Sequence, residues 1–108
     1  MLNKQTTLYL YRGASSSIDF DFTNFEFNGG KCIFTISNLC KKENLLQFEF
    51  DKSQKYTMII TDEFTSKLKD NKYLYNIMYM INDDRFPQCA DSDIIVRNVV
   101  NAYDGNNN

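Results

Sequence analysis

Apolar and polar residues alternate along most of this chain, and the alternation has the period of two that belongs to strands. Ser17 to Thr23 reads Ser-Ile-Asp-Phe-Asp-Phe-Thr, so Ile18, Phe20 and Phe22 share one face and Asp19 and Asp21 the other. Leu45 to Phe50 repeats the pattern, with Leu46, Phe48 and Phe50 inward and Gln47 and Glu49 outward. Tyr56 to Thr61 places Tyr56, Met58 and Ile60 together. Thr6 to Tyr11 is β-branched and aromatic, and Cys32 to Ser37 follows an Asn28-Gly29-Gly30 turn signal. Such alternation marks antiparallel strands with one face in a core and the other in water.

The rhythm breaks once. Asp62 to Asn71 is polar apart from Phe64 and Leu68, whose spacing of four suits one or two helical turns over the end of a sheet. Lys72 to Ile81 is then the longest strand, with Tyr73, Tyr75, Ile77, Tyr79 and Ile81 on one face and Leu74, Met78 and Met80 on the other. A loop is expected over Asn82–Ser92, which holds the only proline, followed by a last strand over Asp93–Val100 and a polar tail over Asn101–Asn108. About seven strands with turns roughly every 8–12 residues predict one all-β domain, an immunoglobulin-like antiparallel β-sandwich, with a small closed barrel as competitor. Its ordered core is expected over about residues 6–100, with Phe20, Phe22, Phe34, Phe48, Phe50, Ile60 and Ile77 buried.

Composition narrows the chemistry. The 108 residues include no histidine, which removes the commonest general base, nucleophile activator and metal ligand. Ser66-Lys67 is the one adjacent Ser–Lys pair in the polar turn, and its side chains point different ways. Asp19 and Asp21 lie on one strand face, roughly 7 Å apart, a spacing that also suits an acid–base pair. They read as a solvated face, because no desolvating pocket is legible around them. Asp83-Asp84 and Asp91-x-Asp93 offer oxygen ligands for calcium but lack the calcium-loop spacing. No enzymatic activity, cofactor or metal is therefore expected.

Net charge is −2 with no basic stripe, so no nucleic-acid partner is expected. No run approaches the roughly 18–20 apolar residues that span a bilayer, and Met1 to Tyr11 lacks the features of a secretory signal. No membrane partner is expected either. Cys32, Cys40 and Cys89 form no C-x-x-C pair, and their odd number favours free thiols in a reducing compartment.

The excess lies in tyrosine, with seven against no tryptophan. Tyr9 and Tyr11 share one strand face. Together with Leu74, Met78 and Met80 they form the candidate protein-interaction surface, because tyrosine and methionine are enriched at such surfaces and a sandwich strand buries only one face.

Several segments in order carry a resemblance: Arg12-Gly13, the Ser-Ile-Asp-Phe-Asp-Phe strand, the turn Thr65 to Leu68, Asn71-Lys72-Tyr73-Leu74-Tyr75-Asn76-Ile77, and Asp93-Ile94-Ile95-Val96-Arg97-Asn98-Val99. The chain resembles the immunoglobulin-like N-terminal domain of phage baseplate upper proteins and similar small phage virion modules. It departs from their pattern at Ala14, Asn71-Lys72 and Asn76. The resemblance implies a bacteriophage virion structural or assembly protein, a baseplate, tail or capsid-surface component made in the host cytoplasm. Its partners would be other virion subunits or further copies of itself. The alternative class is a stand-alone binding module, such as a small inhibitor or a carbohydrate-binding sandwich with exposed aromatic side chains.

Overall fold

The computed structural model describes residues 6–39 and 43–98. Cys40, Val99, Val100 and the tail from Asn101 lie outside the described residues. Seven strands and one short helix follow in the order β1 (Leu8–Arg12), β2 (Ser16–Asp21), β3 (Lys31–Ser37), β4 (Asn44–Phe50), β5 (Lys55–Ile60), α1 (Asp62–Ser66), β6 (Lys72–Ile81) and β7 (Asp84–Asn98). They form a five-stranded sheet in the order β1-β7-β6-β3-β4 and a two-stranded sheet, β2-β5. All pairings are antiparallel except β1 with β7. The result is an all-β sandwich, with the strand order of the immunoglobulin type and a smaller sheet of two strands among the described residues.

The inner faces follow the alternation read from the sequence. Phe20 from the small sheet meets Phe34 and Phe50 of the large one at ring separations of 5.3 and 4.7 Å. Phe22 meets Phe50 at 5.1 Å. Phe20, Phe22, Phe34, Phe50, Ile60 and Ile77 are all buried, as expected. Phe48 is not: it stacks on Phe34 but is only partly buried, as is Leu46. Both sit on β4, the edge strand of the large sheet among the described residues.

Two inward-facing tyrosines satisfy their polar ends. The Tyr75 hydroxyl donates to the Thr6 carbonyl, and the Tyr79 hydroxyl donates to the Phe27 carbonyl. Tyr79 also closes the space beside Gly30, where an added Cβ would lie 2.8 Å from the ring and 2.6 Å from the Met80 carbonyl oxygen. Only glycine fits there.

One segment differs from the sequence reading. The loop expected over Asn82–Ser92 is strand: β7 runs fifteen residues from Asp84, so the loop shrinks to Asn82 and Asp83. Both have positive φ, 52° and 69°, which is the geometry of a tight hairpin turn whose twist matches the strands it joins. Asn and Asp tolerate that region better than other non-glycine residues. The polar run hid the strand because two register shifts against β6 give β7 two extra residues and interrupt the alternation. Pro87 is accommodated because β1 pairs β7 only from Ile94 onward, leaving the Pro87 stretch as an edge. Cys89, expected in a loop, is buried opposite Ile77.

The segments that carried the resemblance meet at one end of the sandwich. Arg12 donates from Nε to the Leu68 carbonyl at 2.7 Å and from Nη2 to the Asp70 carbonyl at 2.8 Å. Gly13 donates its backbone N–H to Thr65 Oγ1 at 3.1 Å, and that buried hydroxyl donates to the Ala14 carbonyl at 2.9 Å. Gly13 has a φ of 85°, which favours glycine. Thr61 caps α1, its Oγ1 accepting from the Phe64 N–H, with Asp62 and Glu63 in the first turn. Leu68 is buried and Phe64 partly so, which seats the helical turn as the spacing of four predicted. The Tyr73 hydroxyl accepts from the Asp70 N–H at 2.9 Å, the tyrosine corner that pins the start of the corresponding strand in immunoglobulin sandwiches.

Candidate functional site

Strand parity decides what the large sheet shows to the outside. On β6, Tyr73, Tyr75, Ile77 and Tyr79 point into the core, so Leu74, Asn76, Met78 and Met80 point away from it. Cross-strand register carries that face across the sheet. Ile33 on β3 and Pro87 on β7 flank Met78, Lys31 and Arg85 flank Met80, and Asp93 lies opposite Leu74. At the other side, Tyr9 on β1 lies opposite Ile95 and Tyr11 opposite Arg97. The structure thus gathers Tyr9, Tyr11, Leu74, Met78 and Met80 on one face, the outer face of the five-stranded sheet. The two tyrosines stand two strands away from the β6 residues.

The face is unevenly open. Tyr9 and Tyr11 are 49% and 42% exposed, and the Arg97 guanidinium lies 4.8 Å from the centre of the Tyr9 ring. A cation over an aromatic face is held by the ring quadrupole, and here it fixes the tyrosine edge of the surface. Leu74, Met78 and Met80 are half-buried by their neighbours. Around the methionines lies a depression of about 330 Å³, floored by Ile33, Met78 and Met80 and bordered by Gln47, Asn76 and Arg85. Polar pairs cross the sheet beside this apolar strip. Asn76 Nδ2 donates to Asp91 Oδ1 at 3.0 Å, Gln47 Nε2 donates to Thr35 Oγ1 at 3.2 Å, and Lys72 Nζ lies 3.5 Å from Asp93 Oδ1. An apolar strip with polar borders is the anatomy of a contact surface.

Ile33, Ile95, Pro87, Arg85 and Arg97 belong to this face but were not singled out from the sequence. Their parity was readable for Ile33, Ile95 and Arg97. Pro87 and Arg85 became visible only once β7 was extended back to Asp84.

The remaining chemical candidates are engaged elsewhere. Asp19 accepts a hydrogen bond from Thr57 Oγ1 at 2.7 Å, across the outside of the small sheet. Asp21 accepts from the Thr23 hydroxyl and backbone N–H, which holds its carboxyl below the usual value. Asp91 and Asp93 are engaged by Asn76 and Lys72. Among the described residues no three carboxylates or thiols come together as a metal site would need. Ser66 Oγ donates to the Asp62 carbonyl at 2.7 Å, inside the helical turn. Cys32 is fully buried, and that burial pushes its thiol up to about 11. A second depression, about 430 Å³, lies at the β6–β7 turn between Lys31, Glu49, Asp51 and Asp83, where Lys31 and Glu49 pair at 3.2 Å. Among the described residues no helix is long and apolar enough to cross a membrane.

No protein-family model matches the chain, and no curated protein matches it.

Proposed function

We propose that the chain is a bacteriophage virion structural or assembly protein, a baseplate, tail or capsid-surface component, that works by docking onto other virion subunits. The observation that carries this reading is the convergence of Tyr9, Tyr11, Leu74, Met78 and Met80, with Ile33 and Ile95, on the outer face of one sheet. A face that mixes aromatic rings, methionines and a stacked guanidinium suits a protein partner better than a reacting small molecule. The resemblance of Arg12-Gly13, Thr65 to Leu68 and Asn71 to Ile77 to phage modules supplies the virion setting. In such a setting the work is done by surface complementarity.

The test has two arms. Mass spectrometry of purified particles should find the chain in stoichiometric amount with other virion proteins. Tagged protein should retrieve a structural subunit, and Met78→Asp with Met80→Lys should lose it while keeping a cooperative unfolding transition. Absence from particles would overturn the virion role. Retention of the subunit by the folded double variant would overturn the assignment of the face. Retention on immobilised glycans, lost in Tyr9→Ala with Tyr11→Ala, would instead make the protein a carbohydrate-binding module.

A further inference from the structure

The free edges of the two sheets differ in how they are guarded. Edge strands present unpaired backbone donors and acceptors, and proteins protect them with charges, proline, bulges or shortness. β1 is five residues long, and the stretch of β7 beyond it carries Asp84, Arg85, Pro87 and Asp91. β2 turns Asp19 and Asp21 outward, and β5 opens with Lys55. β4 has seven residues, Asn-Leu-Leu-Gln-Phe-Glu-Phe, with no proline and no lysine. Its one charge, Glu49, is paired with Lys31 at 3.2 Å. Its inner side chains Leu46 and Phe48 are left partly bare, while Phe34 on the neighbouring strand is fully buried. Among the described residues, β4 has no strand on its far side and keeps two partly bare apolar side chains, as β5 does with Tyr56 and Met58, but β4 has no lysine at its start.

We infer that this edge pairs with β4 of a second copy of the chain, antiparallel about a two-fold axis at Phe48, joining two five-stranded sheets into one. The occupant follows from the strand's own sequence. A two-fold axis places each residue opposite one on the same sheet face, so only a few registers exist. Centred on Glu49, the register sets two glutamates against each other. Centred on Gln47, it sets Glu49 against the partner's Leu45. Centred on Phe48, it sets Gln47 against the partner's Glu49, twice by symmetry, with the amide donating to the carboxylate. It also sets Phe48 against its own copy and Leu46 against the partner's Phe50. Over residues 46–50 only this last register pairs polar with polar on the outer face and apolar with apolar on the inner face; Leu45 falls opposite the partner's Asp51, just past the end of the strand. The half-bare Leu46 and Phe48 then become interior to a continuous core.

Gln47 is exposed, so its charge can be changed without disturbing the core. Sedimentation equilibrium of the full chain, up to about 0.2 mM, should show a monomer–dimer equilibrium. Gln47→Glu sets glutamate against glutamate twice and should weaken the dimer roughly tenfold. Adding Glu49→Gln to that variant restores both amide–carboxylate pairs with the roles exchanged and should recover most of the loss. Met78→Asp with Met80→Lys, on β6 two strands in from the edge, should leave the dimer unchanged. A monomer at every concentration overturns the inference. So does a dimer indifferent to Gln47→Glu, a double exchange that fails to recover, or a dimer abolished by the methionine changes. The last result would transfer self-association to the outer face, whereas failure of virion docking leaves the β4 result standing.

Discussion

The end of the sandwich around Arg12 and the outer face of the large sheet use their side chains in opposite ways. At the Arg12 end, side chains serve the backbone: a guanidinium on two carbonyls, a threonine hydroxyl bridging Gly13 and Ala14, and a tyrosine hydroxyl on the Asp70 N–H. The Arg12 and Thr65 contacts join residues more than fifty positions apart in sequence, so they close the fold. On the outer face, Leu74, Met78, Met80, Tyr9 and Tyr11 touch their strand neighbours and leave the remainder of their surface open. The motifs that carry the resemblance are concentrated at the Arg12 end. On the outer face those segments supply Leu74, Ile95 and Arg97, while Tyr9, Tyr11, Met78 and Met80 lie outside them.

The comparison can be broken at the Arg12 end first, where the largest effect is expected. Arg12→Ala removes charge-assisted bonds to the Leu68 and Asp70 carbonyls and should cost about 1–3 kcal/mol in denaturant unfolding. A loss within experimental error would mean that the guanidinium decorates the joint without holding it. Gly13→Ala should follow at about 1 kcal/mol, because an alanine at φ 85° is strained. A Cβ there has room, its nearest neighbour being Ser66 Oγ at 3.9 Å, so a much larger loss would point to a clash that the geometry does not contain.

The core between the two regions gives a pH-dependent check. Burial raises the Cys32 thiol from its usual 9.0 to about 11. The unfolded chain therefore ionises first, and the stabilisation, complete below about pH 9, is lost as pH rises through about 11. Burial also raises the Tyr75 hydroxyl, which acts in the same direction. Cys32→Val should flatten part of the fall in unfolding free energy over that window and leave neutral pH nearly unchanged. An equally steep fall in the variant would remove Cys32 from the account.

The smallest effect on stability belongs to the outer face. Met78→Asp with Met80→Lys, at two half-buried positions open to solvent on one side, should cost at most about 1 kcal/mol of unfolding free energy while abolishing docking. Unfolding of this variant would make the methionines part of the core and dissolve the contrast between the two regions.

Alternation alone determined the all-β class, the inward faces of β2 to β6 and the two-sided apolar character of β6. A period of two assigns faces without any knowledge of neighbours. It also separated Leu74, Met78 and Met80 from the tyrosines that fill the core. What it could not supply was anything set by pairing. The extension of β7 to Asp84 depended on two positive-φ residues and on register shifts that blur the alternation. The half-buried state of Phe48 depended on its place on the edge strand β4. That Tyr9 and Tyr11 share a face with Met78 and Met80 required the strand order β1-β7-β6 and its register. Each of these is a long-range relation among strands, and local sequence encodes a strand's faces but not which strand will lie beside it.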